Sequence, residues 1–137
     1  MKELSEFAKK HNIPTAQTVM GYSTMKKDDP YFLGAIGGFG GKAPNDFMKK
    51  TDLAIAIGTK LADFTTGSWT NFENPNFKLV SINVSRFDAN KHMAQSIVGD
   101  AKVCIQDLTV ALGSWKASDE WYKKSRSAVK SWNNYLD

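Results

Sequence analysis

The polar side chains best placed to do chemistry lie in "GTKLADFTTGSW", residues 58–69, where Lys60, Asp63, Thr65, Thr66 and Ser68 follow the apolar run "DLAIAI" and its closing Gly58. In open α/β sheets, ligands lie beyond the carboxyl ends of the strands, so a lysine, a carboxylate and three hydroxyls there could hold a polar or anionic ligand. The competing reading is a loop packed on a neighbouring domain, anchored by Trp69 and Phe72, and position alone leaves both open. A second candidate is "LGAIGGFGG", residues 33–41, which sets Gly34, Gly37, Gly38, Gly40 and Gly41 ahead of a helix start. Backbone amides at such a place can approach a phosphate. The dinucleotide fingerprint, however, needs a strand directly before the glycines within a compact βαβ unit, and none is evident. Tight packing of this loop against the sheet is therefore the expected role.

Other reactive groups do not assemble. His11 ends a helix and His92 sits in a polar helix, and neither is spaced with an acid and a nucleophile. Metal binding needs convergent Cys, His or carboxylate side chains, which the pattern does not provide. Asp28 and Asp29 read as loop solvation, "GDAK" at 99–102 as a turn with Asp100 capping a helix, and there is no Walker lysine motif. Cys104 lies inside an apolar stripe with nothing to depress its pKa, so a structural thiol is expected. The sequence thus offers no catalytic residue and no metal ligand.

These groups are carried by elements that the periodicity outlines. Leu4, Phe7 and Ala8 make a helical stripe that stops at His11 and Asn12 ahead of Pro14. "IPTAQTV" reads as a short strand and residues 21–33 as a polar loop. "KAPNDFMKKTD" reads as a helix with Pro44 in its first turn and Phe47 and Met48 on its buried side. "DLAIAI" is apolar on both faces, which suits a parallel strand covered on both sides. "FKLVSINVS" and "SIVGD" read as strands flanking a helical "DANKHMA". Ala101, Cys104, Ile105, Leu108 and Leu112 form a helical stripe ending at Gly113. The last helix, from Ser118 to Leu136, carries Trp121, Val129, Trp132 and Leu136, with Ser118 as cap and Asp119 and Glu120 in its first turn.

The resulting order is helix, strand, helix, strand, strand, strand, helix, helix, which argues for an α/β fold with a parallel sheet. A doubly wound sheet normally opens on a strand and a glycine turn, whereas this chain opens on a helix. It is expected to be a piece of a longer protein, its sheet lacking the first strand, with residues 1–113 as one domain and 114–137 as a Trp-rich helix leading toward the next.

The 137 residues, 42% hydrophobic and 23% charged, fit one globular domain. The net charge of +4 is spread in pairs such as Lys9–Lys10 and Lys123–Lys124, without the clustered basic face that nucleic-acid binding needs. The longest apolar run, Leu53 to Ile57, is far too short for a membrane span. The amino end "MKELSEFAKKHN" has acids and fits neither a signal nor a transit peptide. A single cysteine fits a reducing cytosol, so a cytoplasmic protein is expected.

The segment "LGAIGGFGGKAPNDFMKKTDLAIAIGTKLADFTTGSW" resembles the central domain of thiamine-diphosphate enzymes of the acetolactate synthase type. The matching features are Leu33–Gly34, Gly37 with Gly40, the strand from Asp52 to Gly58, Asp63, and Thr66–Gly67. "SINVSRFDANKH" and "GDAK" fall where that family has its next strand and helix start, so the likeness runs from about Leu4 to Leu112. Within the family, "DFTTGSW" and "INVSRFDANKH" look most like the hydrolases that open a cyclic dione in inositol catabolism.

The resemblance implies a Rossmann-like three-layer fold, a parallel sheet with helices on both faces. It also implies a parent enzyme that uses thiamine diphosphate and Mg2+. The family's catalytic glutamate belongs to a preceding domain and its Gly-Asp-Gly metal–diphosphate motif to a following one, so this segment by itself is expected to be inactive. Some relatives bind FAD in the central domain. The corresponding positions here are Gly37, Gly40, Gly58, Lys60 and Asp63, a vestigial flavin-type site. The acids of the later strand are replaced by Asn83 and Ser85, so FAD is not expected. Expected partners are the flanking domains of the parent chain and, in isolation, further copies of the segment, because Trp115, Trp121 and Trp132 would be partly uncovered. Two alternatives stay open: a decarboxylase or acetolactate synthase-like parent, and a stand-alone nucleotide-binding module.

Overall fold

The computed structural model of the chain describes residues 2–136, the side chain of residue 136 excepted; Leu136, expected on the apolar stripe of the last helix, therefore lies outside the described side chains. The order is α1 (Lys2–His11), β1 (Thr15–Gln17), β2 (Phe32–Ala35), α2 (Lys42–Met48), β3 (Leu53–Ile57), α3 (Asp63–Thr66), β4 (Lys78–Asn83), α4 (Arg86–Ala89), β5 (Gln95–Val98), α5 (Ala101–Ala111) and α6 (Asp119–Leu136). All strand pairs are parallel, and helices cover both sides. The α/β Rossmann-like architecture read from the sequence is thus the one observed.

Three expectations are corrected. Residues 21–33 are not all loop, because Phe32 and Leu33 begin β2, which pairs with β1. The glycine segment therefore does follow a strand and does open a helix. That strand is hard to read because it is four residues long, contains Gly34 at φ +117, and pairs with a partner of only three residues. Secondly, the strands do not form one continuous sheet: β1–β2 and β3–β4–β5 are separate ladders. Thirdly, "DANKHMA" is not one helix. The α4 turn ends at Ala89 and a 3-10 turn follows at Lys91–Met93, with His92 at φ 59 and Met93 at φ 55, angles that no right-handed helix contains.

The helices form where local chemistry supports them. Asp100 caps α5 by accepting from the N–H groups of Lys102 and Val103 at 2.9 and 3.1 Å, and the Ser118 hydroxyl accepts from Trp121 N–H at 3.1 Å to start α6. On one side α1 packs on α5. On the other, α6 packs on α2 and β2, with Trp121 against the buried Phe47 at 4.1 Å between ring centroids and Tyr122 against Tyr31 at 4.8 Å. Arg126 adds a hydrogen bond to the Phe32 carbonyl. Trp115 is half exposed. Its carbonyl meets the fully buried His11 Nδ1 at 2.7 Å, fastening the α5–α6 connection to the end of α1.

One buried cluster of the larger sheet reaches into the loop after β3. Ala56, Leu61 and Leu79 are buried together, with Ala54, Trp69, Phe77 and Ala94 packed around them. Leu61 belongs to the loop after β3, so that loop is part of the core and is held in place by it.

Candidate functional site

In parallel sheets every strand's carboxyl end faces the same edge, so the loops after β1, β2, β3 and β4 gather there. The glycine segment follows β2 and "GTKLADFTTGSW" follows β3, and the structure brings them into direct contact. Gly38 N–H donates to the Phe64 carbonyl at 3.0 Å. A Cβ on Gly37 would lie 2.6 Å from that same carbonyl oxygen and 2.9 Å from Thr65 Cα. A Cβ on Gly40 would lie 2.4 Å from the Ala35 carbonyl oxygen. The space that these two glycines leave open is therefore filled by the chain's own backbone. Asn45, one turn into α2, clamps the loop: its side-chain carbonyl accepts from Gly37 N–H at 2.9 Å while its amide donates to Gly37 O at 3.1 Å. Sequence reasoning passed over Asn45. An amide eight residues beyond a loop glycine, on the first turns of the following helix, is the signal that could have found it.

The other three predicted positions differ from these two. Gly58 ends β3 at φ +63 with open space around it, as a tight turn after a strand requires. Lys60 and Asp63 are both exposed on the same loop. Asp63 sits in the first turn of α3 and accepts from the Ser68 hydroxyl at 3.0 Å. Thr66 is buried, donating to the Asp63 carbonyl and accepting from Trp69 N–H. The structure thus brings Gly37 and Gly40 against the loop that carries Lys60 and Asp63. The hydroxyls of Thr66 and Ser68 close that loop on itself.

Three non-glycine residues of the loop, Leu61, Ser68 and Trp69, have left-handed backbones at φ 45, 52 and 70. Such conformations persist only where surrounding contacts over-determine them. Here Trp69 stacks on His92 at 4.3 Å and meets Phe72 at a tilt at 4.7 Å, and Phe72 meets Phe77 at 4.6 Å. His92 Nε2 reaches the Leu61 carbonyl at 3.1 Å. Trp69 and Phe72 are therefore anchors, and they anchor the loop to this chain's own β4–β5 side.

At the end of β4, Asn83 donates to Thr59 O at 3.2 Å and accepts from Ser85 N–H at 2.9 Å, while Ser85 caps α4. Both side chains are engaged in holding the loops. Beside them, the Lys91 ammonium hydrogen bond holds the Asp88 carboxyl below its ordinary range, with partial burial opposing it and the charge of Lys60 adding to it. Among the described residues no three His, Cys, Asp or Glu side chains are grouped as metal ligands. No described helix is long and apolar enough to cross a membrane.

Beside the exposed Lys60 and Asp63, this edge presents large apolar side chains outward. Met20 and Tyr22 after β1, Phe39 after β2, Phe64 after β3 and Phe87 after β4 are exposed, from 51% for Phe64 to 96% for Met20. Phe39 and Phe64 lie 4.8 Å apart, ring to ring.

Residues 1–108 match the profile of the thiamine pyrophosphate enzyme central domain. The chain belongs to that family. It is similar to proteins named 3D-(3,5/4)-trihydroxycyclohexane-1,2-dione hydrolase: 40% identical over 133 residues to that of Clostridium perfringens (strain 13 / Type A) and 40% over 133 to that of Clostridium botulinum (strain Alaska E43 / Type E3). It is 36% identical over 135 residues to the hydrolase 2 of Bacillus cereus (strain ZK / E33L). These alignments cover 97 to 98% of the chain but 21% of each relative. The chain thus spans about a fifth of the length of the curated relatives it matches.

Proposed function

We propose that this segment is the non-catalytic central domain of a thiamine-diphosphate hydrolase that opens a trihydroxycyclohexane-1,2-dione ring, as its relatives are named for. Thiamine diphosphate and Mg2+ are bound by other domains of that longer, cytoplasmic protein. The central domain braces those domains against each other: residues 1–113 form the body, and 114–137 lead toward the next domain. The observation that carries a bracing role is the carboxyl edge itself. The space at its glycines is filled by the Gly37–Phe64 and Gly40–Ala35 approaches, Thr66, Ser68, Asn83 and Ser85 serve the loops, and Met20, Tyr22, Phe39, Phe64 and Phe87 are exposed on its outer side. Large apolar side chains exposed on one edge, with Phe39 and Phe64 ring to ring, favour a protein contact. The four fifths of a relative's length outside this segment supply the surface to cover it.

A flavin does not fit this edge on the same grounds, since a pyrophosphate cradle needs free space at the glycines and an acid for the ribose. The test has two arms. The longer polypeptide carrying this segment, supplied with thiamine diphosphate and Mg2+, hydrolyses the cyclic dione, and the 137-residue chain alone does not. Formation of acetolactate from pyruvate instead would replace the hydrolase by a synthase-type parent. In the second arm, 1 mM FAD leaves the melting temperature of the segment unchanged. A ligand with a Kd of 10 μM would stabilise it by about 2.7 kcal/mol at that concentration, a shift of several degrees, and observing one would overturn the scaffold reading.

A further inference from the structure

Of the seven described non-glycine residues with left-handed backbones, five meet at one junction: Leu61, Ser68 and Trp69 in the loop after β3, and His92 and Met93 in the turn before β5. Strain gathered in this way is typical of switch regions, where surrounding contacts hold a conformation that the backbone alone would leave. The loop also has two ready hinges. Gly58 stands at φ +63 with open space where a Cβ would be, and Gly67 at φ +59 ends α3. Hinges of a moving segment are element ends of this kind. Between them Lys60, Ala62, Asp63 and Phe64 are exposed, and only Leu61 and Thr66 are buried.

Few contacts tie residues 59–66 to the rest of the domain. Among the described residues, three hydrogen bonds reach them from outside the loop: Asn83 donates to Thr59 O, Gly38 N–H to Phe64 O, and His92 to Leu61 O. His92 differs from the other two because it holds both ends of the segment at once. Its Nε2 meets the Leu61 carbonyl at 3.1 Å, near the first hinge, and a carbonyl only accepts, so that nitrogen carries the hydrogen. Its ring lies on Trp69 at 4.3 Å and 27°, just past the second hinge. Leu61 at φ 45 and Trp69 at φ 70 are thus strained residues gripped by a single imidazole. His92 is itself left-handed at φ 59 and exposed, so the grip sits at the surface and not in the core.

We propose that residues 59–66 form a flap hinged at Gly58 and Gly67, and that His92 is its latch. In the latched state Phe64 lies against Phe39 at 4.8 Å and its carbonyl covers the Gly38 N–H. Release lets Leu61 and Trp69 leave the left-handed region, draws Phe64 away from Phe39 and uncovers that N–H. The turn before β5 is thereby coupled, through the flap, to the glycine segment after β2. Phe39 and Phe64 are part of the exposed apolar edge, so the latch also sets the shape which that edge presents. This last consequence rests on the bracing role proposed above, whereas the latch itself does not.

Native-state amide exchange of the 137-residue chain tests the latch with no partner present, so its failure and that of the bracing role are distinguishable. Gly38 N–H reports the flap, because its acceptor is the Phe64 carbonyl. Ile82, fully buried in the β3–β4 ladder, reports global unfolding. In the wild-type chain Gly38 is expected to exchange through a local opening that low urea barely changes, while Ile82 exchange rises steeply with urea. An equal urea dependence at the two amides overturns the flap, and this reading stands even if a variant fails to fold. His92→Ala should speed Gly38 exchange roughly 10- to 100-fold, the loss of one hydrogen bond and one aromatic stack, with its weak urea dependence retained. His92→Gln keeps an N–H for Leu61 O without the ring, and His92→Phe keeps a ring without the N–H, so each should give a smaller acceleration. An unchanged Gly38 rate in His92→Ala, or the same acceleration in all three variants, overturns the latch.

Discussion

Replacing Gly37, Gly40 and Gly58 one at a time by alanine separates a packed glycine loop from a ligand cradle. At Gly58 the added methyl meets nothing within 4 Å, but the backbone is left-handed at φ +63, which costs about 1–2 kcal/mol for a non-glycine residue. Gly40 is the converse. It has no positive φ, yet its Cβ would lie 2.4 to 2.7 Å from three backbone atoms of Ala35 and Ile36; the overpacking cost is about 1–3 kcal/mol. Gly37 combines φ +93 with a 2.6 Å approach to the Phe64 carbonyl, so backbone strain of about 1–3 kcal/mol adds to a similar overpacking cost, roughly 2–6 in all. Urea unfolding followed by tryptophan fluorescence reads the series. Gly37→Ala should unfold at a midpoint about 1 M below Gly58→Ala, which corresponds to about 2 kcal/mol at an ordinary slope. If Gly37→Ala proves no more costly than Gly58→Ala, the loop contact is not a packed one. The opening at the glycines would then be free for a ligand, and the scaffold reading of this edge would lose its main support.

Asn45→Ala removes the partner of the buried Gly37 N–H, while the Gly37 carbonyl keeps the Gly40 N–H at 2.8 Å, and leaving that N–H unsatisfied should cost about 1–3 kcal/mol, measured by the same urea midpoints. Its effect and that of Gly37→Ala should be strongly non-additive, because both release the same loop. The Tyr31 phenol is pushed up by burial first and then by Tyr122, Asp119 and Asp29. Its folded pKa exceeds its unfolded one, so the stability it contributes is complete below about pH 10 and is lost as pH rises through the folded value. Tyr31→Phe should therefore flatten the decline of the urea midpoint between pH 9 and 11, and an unchanged slope would refute the assignment.

What the sequence disclosed and what it hid follow from how far each signal reaches along the chain. Long, strongly periodic elements were legible: the α1 stripe of Leu4, Phe7 and Ala8, the α5 stripe around Ile105, and the Asp100 and Ser118 caps all depend on neighbours within four residues. Apolar β3 was legible as a strand, because its composition needs no partner to be recognised. The four-residue β2 was not, since its glycine and its polar approach resemble a loop, and only pairing with distant Thr15 and Gln17 makes it a strand. The same limit hid the Asn45 clamp and the contact between Gly37 and Phe64, which join residues 8 and 27 apart by close approach alone.

The loop after β3 shows why composition misleads at such a site. Threonine and serine look available for a ligand, but Thr66 and Ser68 bond to the backbone and carboxylate of Asp63, and Trp69 locks the turn through His92. A polar loop is free to bind only if its own backbone does not need those side chains, and three left-handed residues without a glycine's latitude need them. The outward-facing property of this edge lies instead in Met20, Phe39 and Phe87, residues scattered over three different loops. No local pattern announces such a rim, because it exists only once parallel strands have brought their carboxyl ends together. An edge whose Thr66 and Ser68 hydroxyls are spent internally and whose Met20, Phe39 and Phe87 side chains are left outside is suited to hold protein against protein, the bracing role proposed above.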